Sequence, residues 1–243
     1  MSTAALTPAD QPLYDLVTRP APVAIADVIS RMQSIDALLA VNDGLKWFNQ
    51  LYLTVTRQVD LHPPGGAWQS RVWLTRLDVV FAGFYFSAVG EFLCGRAVPS
   101  AWSALFEARY RSDVDRIQFA LAGMNAHINH DLALALLATG AELNLVPAPD
   151  SLEHADYESV NTLLNIVMPS ALNMLATDTL GVLAQDTGKI GRLLAFWNIC
   201  QARDLAWDFA NHLRTLNGPG SDIALSSQDT LTGVLGRAIL ATA

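Results

Sequence analysis

Apolar residues recur with a helical period along nearly the whole chain, and no segment shows sustained period-two alternation with β-branched residues. That pattern leaves little room for a sheet. Ile25, Ile29, Met32, Ile35, Leu38 and Leu39 mark one amphipathic helix, and Asp43-Gly44 interrupts it. Leu45, Phe48, Leu51, Tyr52 and Val55 form a second stripe. His62-Pro-Pro-Gly-Gly66 reads as a loop, with His62 a loop residue. A third helix is expected from about Trp68 to Cys94, ending near Gly95, and a short fourth begins at Pro99.

Ser112 or Asp113 can cap a long fifth helix ending at Gly140. Ser151 starts a further helical stretch that Pro169 should break or kink. Gly188 and Gly191 separate it from a helix carrying Leu193, Leu194, Trp197, Leu205, Trp207 and Phe209. Asn217-Gly-Pro-Gly220 reads as a loop, and Ser227 as the cap of a last helix from Gln228 to about Leu240. The expectation is one all-α domain over residues 1–243, a bundle of seven to nine helices, with residues 1–20 loosely ordered.

Composition narrows the function classes. With 15 Lys+Arg against 23 Asp+Glu in 243 residues, the net charge is −8. Cations are sparse and scattered, which disfavours nucleic-acid binding. A mean hydropathy of +0.27 disfavours disorder. Cys94 and Cys200 exclude a disulfide-rich scaffold and read as buried free thiols, with a single disulfide as the alternative. Met1–Gln11 shows no basic or apolar region of a secretory signal, so a cytoplasmic location is expected. The longest uncharged stretch, Ser159–Thr177, contains Asn161, Asn165, Pro169 and Asn173 and reads as buried helix rather than a membrane span.

The chemistry concentrates in Gly123-Met-Asn-Ala-His-Ile-Asn-His-Asp-Leu132. Inside a Leu-rich helix it places Asn125, His127, Asn129, His130 and Asp131. Burying an unpaired polar group costs on the order of 1–3 kcal/mol, so such a helix satisfies a network or builds a site. Helical spacing puts His127, His130 and Asp131 on one side and Asn125 and Asn129, with Gln118, on the other. His127 and Asp131 suit either a divalent metal, as an HxxxD pair, or metal-free acid–base catalysis, with the carboxylate fixing the imidazole tautomer. The bland alternative is a structural His–Asp hydrogen bond.

Other candidates are weaker. Asp208 and His212 form a second i, i+4 pair that could complete a four-ligand cage. Asp78 sits in an apolar run and needs a partner, His127 or an arginine. Tyr85 shares its face seven residues on, and Asn161 is expected to hydrogen-bond the amide face of the fifth helix. His154 and Asp156 read as solvated, and Trp47, Phe48, Trp73, Phe81, Phe84 and Tyr85 as candidate walls of an apolar pocket. No Gly-x-Ser-x-Gly elbow, Walker loop, GxGxxG or HExxH is present.

The ten-residue segment resembles the signature of a family of uncharacterised helical proteins from bacteria and fungi. Leu77-Asp-Val-Val-Phe-Ala-Gly-Phe-Tyr-Phe86, Val160-Asn161-Thr-Leu-Leu164 and Ala206-Trp207 are similar to further pieces of its pattern. The resemblance spans about Trp47 to Leu213 and implies an all-α domain. It also implies that Asp78, Asn125, His127, Asn129 and Asp131 are the positions to watch. Some fungal relatives are associated with polyketide pathways, which implies a small-molecule hydrolase or cyclase.

Three functions therefore compete. The first is acid–base catalysis on a small apolar carbonyl compound, with His127, Asp131, His130 and Asp78 catalytic and Asn125, Tyr85, Asn129 and Asn161 binding substrate. The second is a metal-dependent hydrolase, similar to helical zinc phospholipases C in its HxxxD spacing alone. The third is a non-enzymatic scaffold. Expected partners are a small apolar substrate, no nucleic acid and no membrane, with a homodimer left open. The cofactor is either none or a divalent metal at His127 and Asp131.

Overall fold

Apolar residues at helical spacing give most elements a face to bury, and helices account for the architecture of the described residues. The structure is a computed structural model and describes residues 6–61, 66–176 and 198–241. The helices are α1 (Gln11–Val17), α2 (Ile25–Leu38), α3 (Gly44–Leu61), α4 (Arg71–Leu93), α5 (Ser100–Ala108), α6 (Arg116–Ala126), α7 (Leu132–Leu143), α8 (Leu152–Ala176), α9 (Ile199–Thr215) and α10 (Gly218–Ala241). A single π-helical turn, His127–Asp131, joins α6 to α7 without a break, so the ten helices make nine rods among the described residues. No strand occurs among the described residues, and the all-α bundle is as expected.

The α6–π–α7 rod is the centre of the bundle. Helices α3, α5 and α10 pack on α6, α4 and α9 pack on α7, and α4, α9 and α10 reach the π-turn. Every residue of α6 from Ile117 to Ala126 is consequently buried. Gly123 and Gly44 let α3 and α6 close up. A Cβ at Gly123 would collide with the Phe48 ring, and one at Gly44 with Phe119. Gly233 gives α10 the same closeness to Ser100 on α5.

Several boundaries differ from the sequence reading. Asp115 precedes α6, with Gln118 Oε1 accepting the Asp115 N–H at 3.0 Å; the expected caps, Ser112 and Asp113, lie outside. The rod runs past Gly140 to Leu143 and stops where Asn144 takes φ +48°. Helix α8 continues through Pro169. Helix α10 starts at Gly218, nine residues before Ser227, because Pro219 lies in the first turn, where a missing N–H costs nothing. The expectation of loose order over 1–20 is corrected in part. Gln11–Val17 is helical and buries Leu13, Leu16 and Val17. Cys94 and Cys200 are free thiols and half-buried rather than buried. His62, Gly188, Gly191, Leu193, Leu194 and Trp197 lie outside the described residues.

Among the described residues, α4 is the one helix long and apolar enough to cross a membrane. The stretch Ser159–Thr177 singled out from the sequence does not qualify. Of the qualifying 18-residue window of α4, 56% is buried inside the fold. A helix that is apolar all round is also what a bundle interior requires.

Candidate active site

The π-turn sets the site. Single π-turns inside α-helices insert an extra residue and are frequent at functional positions. Here the turn holds His127 and Asp131, which are 0% and 2% exposed. The Asp131 carboxylate collects three donors. Its Oδ2 accepts from Trp102 Nε1 at 3.0 Å and from His127 Nδ1 at 2.9 Å. Its Oδ1 accepts from His130 Nδ1 at 2.8 Å. Burial would raise this carboxyl, but the two histidine hydrogen bonds hold it below the ordinary carboxylate range. Asp131 is therefore ionised, and each histidine carries its proton on Nδ1.

The two histidines are driven apart. Burial is the largest influence on His127 and pulls its pKa below the ordinary value, outweighing Asp131. His127 is thus neutral, with a lone pair on Nε2. Burial acts on His130 in the same direction, but Asp131 and then Asp229, 3.8 Å from its Nε2, carry it upward. His130 is therefore the more basic of the two. Pairs of titratable groups pushed in opposite directions mark acid–base sites.

His127 Nε2 is buried and has no hydrogen-bond partner among the described residues. Its ring stacks flat on Phe81, 3.5 Å between centroids and 5° between planes, and Tyr52 meets it edge-on at 4.6 Å. These three rings form one wall of a cavity of about 40 Å³. Leu74, Leu77, Met124, Ile128 and Leu132 make it apolar. Asp78, Thr56 and Arg203 are its other polar residues. The volume exceeds the roughly 10–15 Å³ that one ordered water needs.

Asp78 is half-buried and lines this cavity, while its Oδ2 is inaccessible and unpartnered. Burial pushes its pKa up to about 7, with Arg203 opposing and Asp60 adding. Among the described residues no carboxylate is within ion-pair distance of Arg203. Its Nε donates to Asn161 Oδ1 at 2.8 Å and its Nη2 to Tyr157 O at 2.9 Å, and its guanidinium lies over the Tyr157 ring.

An elevated carboxyl has a stability signature. Between pH 4 and 7 the folded chain keeps a proton on Asp78 that the unfolded chain has lost. Stability therefore falls as pH rises through that window, by at most roughly 4 kcal/mol for a pKa moving from 3.8 to about 7. Asp78→Asn should match the wild type near pH 4 and be the more stable protein at pH 8. Melting curves across the range test this; a constant difference from pH 4 to 8 would show that Asp78 keeps its ordinary pKa.

The other sequence candidates fall elsewhere. Tyr85 does not line the cavity; it donates from its hydroxyl to Asn49 Oδ1 at 3.2 Å inside an aromatic core. Seven residues bring it to the same helix face as Asp78 but ~10.5 Å further along the axis. Asn125 donates to Thr232 O and accepts from Asn129, both at 2.9 Å, tying α6 to α10. Neither amide lines the cavity. Asn161 turns to Arg203 and to Asp204 rather than to α6. Of the six aromatic candidates, Phe81 alone lines the cavity.

Asp156, read as solvated, is 2% exposed and accepts the Gln69 and Ser70 N–H groups ahead of α4. His154 is half-buried against Trp207 and bonded to Pro149 O. Asp208 and His212 line a separate surface groove with Asn129 and Gln228.

The four-ligand cage is thus not assembled. Among the described residues no group of three or more His, Cys, Asp or Glu side chains can hold a metal ion. His127 Nδ1 and Asp131 Oδ2 are bonded to each other, so the donor set does not fit a metal centre. Arg203, Tyr52 and Trp102 were missed from sequence. Arg203 had a readable signal. It shares the apolar stripe of Ile199, Ala206 and Ala210 on α9, the same anomaly that singled out Asp78.

A family model described as a family of unknown function (DUF5995) matches residues 25–242. No curated protein matches the chain. No solved structure matches it either.

Proposed function

Because the chain belongs to this family of unknown function, its chemistry has to come from the site, and we propose a small-molecule enzyme that works by general acid–base catalysis on an apolar carbonyl compound. One observation carries the reading. A neutral imidazole, oriented by a buried carboxylate, offers its one unpartnered nitrogen in a cavity that also holds a carboxyl group titrating near 7.

The roles follow from the protonation states. His127 Nε2 accepts a proton from water or from an acidic C–H or O–H of the substrate. Asp131 stabilises the imidazolium that forms, and His130 and Trp102 hold Asp131. Asp78, protonated up to about pH 7, donates to the carbonyl oxygen, and Arg203 supplies positive charge as the oxygen gains negative character. Among the described residues no serine or cysteine lines the cavity, which favours base catalysis over a covalent acyl intermediate of those residues. The apolar lining suits a polyketide-like ester, thioester or diketone, processed by hydrolysis or ring closure. The net charge of −8, with its scattered cations, disfavours a nucleic-acid partner.

The test is turnover of medium-chain thioesters, lactones and 1,3-diketones, including deuterium uptake at enolisable carbons. His127→Ala should lower kcat/KM by about 10²–10⁴ with the fold retained by circular dichroism. The wild-type pH profile should be bell-shaped, its falling limb near 7 disappearing in Asp78→Asn. Activity that survives His127→Ala would refute the assignment. A folded wild type inert on every substrate would leave the dyad as a structural network.

A further inference from the structure

A second cleft lies on the opposite side of α4 from the cavity, between that helix, α2 and the α1–α2 connection, with a volume of about 450 Å³. Four arginines and two glutamates line it in a chain of net charge −8. Two arginines are spoken for: Arg76 pairs with Glu142, and Arg96 with Glu91. Arg19 and Arg31 have no carboxylate within ion-pair distance among the described residues.

Arg31 is the unusual one. It is 8% exposed, and its guanidinium is fixed by Arg19 O at 3.4 Å and Pro20 O at 2.5 Å and lies over the Phe86 ring at 4.9 Å. Its Nε is buried without a partner. Asp27, one turn away, is engaged in accepting the Val23 and Ala24 N–H groups. A buried cation held by carbonyls and a ring, but by no anion, is expensive unless a charge arrives from outside. The floor of the cleft is open as well. A Cβ at Gly83 would meet nothing within 4 Å, and Val79, Val80 and Phe86 make the rest of the floor apolar.

We infer that this cleft is a binding site for a small organic anion, its carboxylate or phosphate head on Arg31 and Arg19 and its apolar body along α4 over Gly83. Bidentate recognition of such heads is what a pre-set guanidinium does well. The volume lies in the range of small-molecule sites. The inference is independent of the catalytic reading, and its test reads binding alone.

Calorimetric titration uses four probes: phenyl phosphate, benzoate, inorganic phosphate and benzyl alcohol. Phenyl phosphate or benzoate should bind, more weakly at high salt, and benzyl alcohol should not. Which of the two binds tighter identifies the head group. Arg19→Gln, at an exposed position, and Gly83→Leu, which fills the cleft without touching a charge and favours the helix, should each weaken binding at least about tenfold. Arg31→Met should abolish it, and the two milder variants decide the matter if Arg31→Met fails to fold. Four results overturn the site: no binding of either aromatic anion up to roughly 10 mM, equal binding of benzyl alcohol, equal binding of inorganic phosphate, or binding unaffected by Gly83→Leu.

Discussion

Asp131→Ala is expected to cost about 3–5 kcal/mol of folding stability, measured as the shift in urea unfolding at pH 7. The carboxylate is the common acceptor for His127, His130 and Trp102, and all three donors are buried or nearly so. Removing it leaves three N–H groups without an acceptor, each costing on the order of 1 kcal/mol or more, and takes from His130 the carboxylate that raises its pKa. Asp131→Asn should cost nearly as much, since its amide nitrogen must face one of three donors.

The sign of the pH dependence follows from the shifts. Asp131 is depressed, so its contribution is present above about 4 and is lost as pH falls through its folded pKa. His127 is depressed too, and destabilises the fold as pH drops below 6.5. His130 is raised, so its contribution is complete below 6.5 and is lost as pH rises through its folded pKa. A loss below 1 kcal/mol in Asp131→Ala would mean that the three donors find water instead. The site would then be wetter than its burial indicates.

The fold class was legible because amphipathic periodicity survives tertiary packing, whereas helix ends do not announce themselves as reliably. Pro169 was read as a break or a kink, and α8 runs through it without a break. Asn217-Gly-Pro-Gly220 was read as a loop, yet a proline in the first helical turn is compatible with a start as much as with a stop. The polar density of residues 125–131 pointed to a buried hydrogen-bonded network, because unpaired polar groups in a Leu-rich helix must be explained. The arrangement inside it was not legible. An α-helical wheel places His130 beside His127, while the π-turn sends His130 toward Asp229 on α10 and leaves His127 alone facing the cavity. Residues contributed by distant helices, such as Trp102 and Arg203, carry no local pattern that links them to the segment they serve.

The second large effect is expected far from the cavity, at Arg109. Its Nε and Nη2 hold both oxygens of Asp43 at 2.6–2.9 Å, with the two side chains 6% and 5% exposed, and its Nη1 reaches Asp10 at 3.3 Å. Asp43 Oδ1 also accepts the Leu45 N–H, and Gly44 N donates to Arg109 O at 2.7 Å. One guanidinium thereby joins the segment before α1, the α2–α3 turn and the end of α5. Arg109→Ala leaves the Asp43 carboxylate buried without its cation and should cost about 3–5 kcal/mol. Most of that cost is the stranded charge rather than the net worth of the pair. Arg109→Met with Asp43→Asn, which removes the charge while keeping an acceptor for Leu45, should therefore recover more than about 1 kcal/mol of the loss in a double-mutant cycle. A double variant no more stable than Arg109→Ala would place the cost in the other ties of the guanidinium, the Asp10 contact among them, because the methionine already restores much of the buried volume.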